Sequence, residues 1–200
     1  MPQTIVEGAL ELELGDDWNV VCKWDGSDAY RQGIQKLTGV YKSRGSRERE
    51  DCKAVDVIAF SESHGKILMI EIKDFREHRI ENKERIKNGE LFVEVGCKAR
   101  DTIAGICGAA RNGDDADLSV LAARLASQTR LTVVLWLEED RGAEDIPLAH
   151  PKRHKSRLAT MTQALKGALR WLTPRVMICS LGGAQLTDHG IVVRPRARSD

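Results

Sequence analysis

Residues 55–76 read VDVIAFSESHGKILMIEIKDFR. Two short apolar runs, Val55–Phe60 and Ile67–Lys73, flank the turn-like Ser61–Lys66. Both runs are rich in β-branched residues, and runs of this length separated by a turn predict a β-hairpin. With a four-residue loop from Glu62 to Gly65, Ser61 faces Lys66, paired positions sum to 127, and Asp56 falls opposite Glu71.

Side chains alternate along a strand, so Lys73 shares the face of Glu71, and Asp56 shares that of Ile58 and Phe60. One face of the hairpin therefore gathers Asp, Glu and Lys. Like charges directly opposite on a sheet are destabilising, and two at 4 Å repel by about 4 kcal/mol at an effective dielectric near 20. The other face, Val55, Val57 and Ala59 against Leu68, Ile70 and Ile72, is wholly apolar. That composition predicts helices packed over at least that side. A salt-bridged hairpin could carry the same letters, but a hard divalent cation with oxygen ligands explains why two carboxylates stand together within apolar runs.

Asp56, fourteen intervening residues and then Glu71-Ile72-Lys73 resembles the D…ExK signature of the PD-(D/E)XK nuclease superfamily, with Val55 where the nominal motif has Pro. The resemblance implies a restriction-endonuclease-like α/β sandwich with a central mixed sheet flanked by helices. It implies catalytic roles for Asp56, Glu71 and Lys73. Asp56, Glu71 and the carbonyl of Ile72 would hold Mg²⁺, with Mn²⁺ as a substitute, and Lys73 would assist the attacking water. Some members add a Glu on the first helix. The segment Asp25–Lys36 has none, and Glu11 or Asp28 could substitute. The helix after the ExK strand often presents a polar residue to the site, a place that Lys98 would take. The substrate implied is nucleic acid, DNA before RNA, since most of the superfamily acts on DNA. A prokaryotic defence or repair setting, a protein partner supplying target recognition, and a homodimer are also compatible with the family. The competing class is a catalytically inactive nucleic-acid-binding or complex-forming subunit on the same fold.

Two hundred residues suit one domain with a sizeable core. We expect a single domain over residues 1–200, with a charged insertion at about 74–89 and a basic C-terminal part from about 146. No basic-then-apolar leader and no long apolar run stands out, so a cytoplasmic protein without a membrane span is expected. The five cysteines are scattered and never in C-x-x-C spacing, which favours reduced thiols. His150 and His154 flank a basic segment without a nearby Cys, a poor zinc site. From Ile146 to Asp200 ten Lys or Arg stand against two Asp, a balance of +8, so with 31 basic and 30 acidic residues in all, residues 1–145 carry −7. A basic half of this kind is the electrostatic footprint of a phosphate partner, or a solvated tail.

Along the rest of the chain, Ala9–Leu14 alternates weakly, and Ala29–Leu37 has helical spacing. The loop from Lys42 to Lys53 is charged. Arg76, Arg79, Lys83 and Arg85 in the insertion are candidates for phosphate contact, with Lys98 beyond them. Leu91, Val95, Ala99, Ile103 and Cys107 predict a helix from Glu90 to Arg111, in which Glu94 and Lys98 would form an i, i+4 surface pair. Leu118–Leu125 is a second helical piece and Leu131–Leu137 an interior strand. Glu138-Glu139-Asp140 reads as a solvated strand end. A helix striped by Leu158, Met161, Leu165, Leu169 and Leu172 follows, then strands at Val176–Leu181 and Ile191–Val193, and a mobile tail from Arg194.

Overall fold

The hairpin forms in the expected register. In the computed structural model, which describes residues 2–36, 52–140 and 151–196, β4 (Val57–Ser61) and β5 (Lys66–Asp74) are antiparallel, with pairs running from Val57↔Ile70 to Ser61↔Lys66. The same register puts Asp56, one residue before β4, at the position facing Glu71. Gly65, with φ of +54°, supplies the left-handed residue that closes the loop.

Three further strands extend this pair into a five-stranded mixed sheet of order β3-β4-β5-β6-β7. β3 (Val20–Lys23) is antiparallel to β4, whereas β6 (Arg130–Glu138) and β7 (Val176–Cys179) are parallel to β5. Parallel neighbours require crossovers. Helices α2 (Arg79–Lys87), α3 (Glu90–Asn112) and α4 (Ala116–Leu125) link β5 to β6, and α5 (Pro151–Leu169) links β6 to β7. α1 (Asp28–Gln32) precedes the hairpin. The helices cover one face: Leu91, Val95 and Ile106 of α3, with Leu165 and Leu169 of α5, share a core with Ile58, Phe60, Ile67, Met69, Val133 and Leu135.

The opposite face corrects an expectation. It is covered by a second antiparallel sheet of order β1-β2-β8, made of Gln3–Glu7, Leu10–Leu14 and Ile191–Pro195. Leu10, Leu12 and Leu14 of β2 are buried against Val57, Ala59, Leu68, Ile70 and Trp136. The LELEL alternation of β2 is what one sheet needs to lie on another. Val55 does not join this face and is buried on the helical side. Its strand begins only at Val57, after a bend at Asp56, so strict alternation does not reach back to it.

Other differences are local. Part of the charged insertion forms a helix, α2. α5 starts at Pro151, inside the basic segment, because Pro is well placed in a first helical turn. The expected tail is in strand β8 as far as Pro195, where Glu11 faces Arg194. Gly96 and Gly105, which weaken an isolated helix, are where α3 makes close approaches. A Cβ at Gly96 would lie 3.1 Å from the Ala168 carbonyl, and one at Gly105 would lie 2.8 Å from the Trp24 ring. Leu37, most of the charged loop (42–51), His150 and the last residues (197–200) lie outside the described residues. Among the described residues, no helix is long and apolar enough to cross a membrane.

Candidate metal centre

Asp56 is held from three sides. The Ile72 N–H donates to its Oδ2 across 2.6 Å, and its own carbonyl accepts the Trp24 N–H at 2.9 Å. Just upstream, the Val55 N–H donates to Thr102 Oγ1 and the Lys53 N–H to Asp101 Oδ2, both at 3.0 Å, tying the approach to β4 onto α3. Glu71 projects from β5 into the helical side and is fully buried.

Around Glu71 the charges alternate. Lys98 of α3 donates to Glu71 Oε1 at 2.6 Å and lies 3.9 Å from Asp56 Oδ1. Lys73 is 3.1 Å from the same Glu71 oxygen and 3.0 Å from Glu94 Oε1. Arg85 of α2 closes the row, 2.5 Å from Glu94 Oε2. Glu94 and Lys98 thus do not form the surface pair expected from their spacing; each crosses to β5. Glu71 Oε2 is buried and has no hydrogen-bond partner among the described residues.

A second set of acids reaches Asp56 from the N-terminal part of the chain. Glu7, Asp25 and Asp56 each offer a carboxylate oxygen, all within 4.8 Å of one another. Asp25 sits in a 3-10 turn, Trp24–Gly26, pinned by the Trp24–Asp56 backbone bond. Glu7 ends β1, and Lys23 draws that end toward β3 by lying 2.7 Å from Glu7 Oε2 and donating to the Val6 carbonyl at 3.1 Å. The additional upstream acids at the site are therefore Asp25 and Glu7, not Glu11 or Asp28. Glu11 faces Arg194 across the second sheet, and Asp28 is exposed at the start of α1. Glu7 comes from a strand with no local signal for this contact. Asp25 lies in the stretch read only for Glu.

Burial and then the neighbouring Glu71 push the Asp56 carboxyl up to about 7. Burial also raises Glu71, outweighing the pull of Lys98 and Lys73, and burial followed by Glu7 raises Asp25. Burial alone would lower Lys73, but Glu71 and Glu94 more than offset it and hold the ammonium charged. Three acids displaced upward by burial mark a place where carboxylates are costly to ionise unless a cation is bound. The donor set is all oxygen, which suits Mg²⁺ or Mn²⁺ over a thiophilic ion.

The remaining site residues predicted from sequence separate. Arg76 is paired with Asp74 and Arg85 with Glu90 and Glu94, while Lys98 belongs to the buried cluster. Arg79 opens α2, and Lys83 is exposed on it. Glu138 is not solvated: it is buried and accepts from Trp136 Nε1 and from the Leu181 N–H, each at 2.7 Å. Comparison with family models, curated proteins and solved structures returned no match to this chain.

Proposed function

We propose that the chain is a metal-dependent nuclease of the PD-(D/E)XK type, hydrolysing phosphodiester bonds in nucleic acid, DNA in the first instance. The observation that carries this reading is Asp56, Glu71 and Lys73 gathered in one cluster, with Glu71 Oε2 buried and lacking a hydrogen-bond partner among the described residues. Asp56 and Glu71, with the Ile72 carbonyl, would hold Mg²⁺, and Asp25 and Glu7 extend the carboxylate set beyond Asp56. Bound there, the ion would supply a Lewis acid for the phosphate and a water of lowered pKa. Lys73, kept charged and fixed by Glu94, would orient that water or meet negative charge developing on the phosphate. Asp56, bonded to the Ile72 N–H, keeps the two carboxylates in register.

One observation favours the non-hydrolytic alternative, a nucleic-acid-binding or complex-forming subunit. The Lys98 ammonium already neutralises Glu71 within the protein. Titration calorimetry with Mg²⁺ and Mn²⁺ on wild type and Asp56→Ala separates the two, alongside incubation with supercoiled, linear and single-stranded DNA and with RNA. The nuclease reading expects metal binding that the variant loses, and products that EDTA suppresses. No metal binding and no product on any substrate would leave the binding subunit.

A further inference from the structure

A groove of about 370 Å³ runs between α2 and α5. Half-buried Ile86 and Ala164, over the buried Phe92 and Met161, give it an apolar floor, while the exposed Lys83 and Lys87, one helical turn apart on α2, rim one side. At its far side Arg157 holds Glu139 through bonds of 2.7 and 2.8 Å, and on the near rim Lys87 lies 3.6 Å from Glu84 in an exposed pair, so Lys83 carries the rim's net positive charge. The groove lies by the C-terminal ends of the parallel strands, the edge where open α/β sheets take ligands and where Glu71 and Lys73 also stand. Helix α2 is a shared wall. Lys83, Ile86 and Lys87 line the groove, and Arg85 reaches Glu94, the acid that fixes Lys73.

We propose that this groove receives an unstacked nucleotide of a single-stranded nucleic acid, its base on the apolar floor and its neighbouring phosphates on Lys83 and Lys87. This rests on the nuclease reading and gives it a substrate class: single strands, or duplexes with unpaired ends. Only a base out of the stack can offer its apolar face to a concave pocket, because in a duplex that face is covered by its neighbours. The lysines supply sequence-independent attraction for the flanking phosphates. A fatty acid would also fit an apolar floor, but it carries one charge at one end, whereas a strand carries phosphate on both sides of each base.

The test is binding in EDTA, so that it does not depend on cleavage: fluorescence anisotropy of a short labelled single strand and of the matching duplex. Wild type should prefer the single strand, and Thr160→Trp, an exposed position that fills the groove mouth, should weaken single-strand binding about tenfold with little effect on the duplex. Lys83→Glu with Lys87→Glu should weaken it likewise and flatten its salt dependence. Unchanged single-strand binding in both variants, or displacement of decanoate from the groove without single-strand preference, overturns the proposal. Should Thr160→Trp not fold, photocrosslinking of a 5-iodouridine strand to wild type decides: adducts within residues 83–87 or 157–164 support the groove, and adducts only elsewhere overturn it. Groove binding without metal-dependent cleavage would retain the groove and reject the nuclease. Cleavage with unaltered binding in the variants would do the reverse.

Discussion

Lys98 on α3 donates to Glu71 on β5 across 2.6 Å, and its ammonium stands between Glu71 and Asp56, where a divalent cation would bridge the same two carboxylates. A divalent cation bound there would compete with this ammonium for the same carboxylates. Lys98→Met should therefore raise Mn²⁺ affinity about tenfold, read by titration calorimetry, since an opposing charge a few ångströms away is removed. Without metal the same variant should lose about 3 kcal/mol of stability, because Glu71 is left buried with less compensation. Weaker Mn²⁺ binding would show that the ammonium assists the metal.

The cluster also predicts a division between chemistry and positioning. Glu71→Gln, Asp56→Asn and Lys73→Met should each lower Mg²⁺-dependent cleavage at least about a hundredfold, with the fold retained by circular dichroism. Glu94 touches Lys73 and Arg85 and is placed to act through them. Glu94→Gln should lower kcat about tenfold with little change in KM, and should move the alkaline limb of the pH profile down as Lys73 loses an acid partner. A pH profile identical to wild type would confine Glu94 to a packing role.

Asp56 supplies a pH dependence of stability. Its folded value of about 7 lies above the ordinary carboxylate value of about 3.9, so folding favours the protonated form. The contribution is fully present below the unfolded value and is lost as pH rises through about 7. Glu71 and Asp25 are displaced in the same direction. In EDTA the melting temperature should fall between about pH 4 and about pH 7 and level off above that, and saturating Mg²⁺ should reduce the fall by stabilising the ionised acids. A metal-independent, flat profile would contradict the burial described for these carboxylates.

Gly105 tests how the upstream acid is positioned. A methyl there would stand 2.8 Å from the buried Trp24 ring and 3.0 Å from Ile34 Cγ2. Gly105→Ala should cost about 1–3 kcal/mol in urea unfolding. Because Trp24 precedes Asp25 and its backbone bonds to Asp56, the variant should also weaken Mn²⁺ binding, whereas Gly108→Ala, where nothing among the described residues lies within 4 Å, should not.

The hairpin was legible because its information is local. A four-residue loop and period-two alternation set the register that brings Asp56 to Glu71, and the structure has the same pairs. Helix α3 was legible from its apolar spacing, but not the direction of Glu94 and Lys98. Their distance along the helix favours a mutual pair, and only the buried Glu71 and the nearby Lys73 make crossing to the sheet better. Glu7 and Asp25 were illegible for a different reason. They meet Asp56 through contacts spanning many residues, set by the packing of two sheets that no short window contains. The second sheet escaped notice because one of its three strands comes from the far end of the chain, and the apolar face of β4 and β5 reads the same whether helices or strands cover it. Glu138 was misread since three consecutive acids look solvated until Trp136 and Leu181 are seen to need its oxygen.

Strand β8 completes the sheet that begins with β1, so Leu14 pairs with Ile191 and Leu10 with Pro195. β2 is thus flanked by one strand close in sequence and one far from it, and without β8 its outer backbone amides and carbonyls would stand unpaired, an open edge for pairing with another chain.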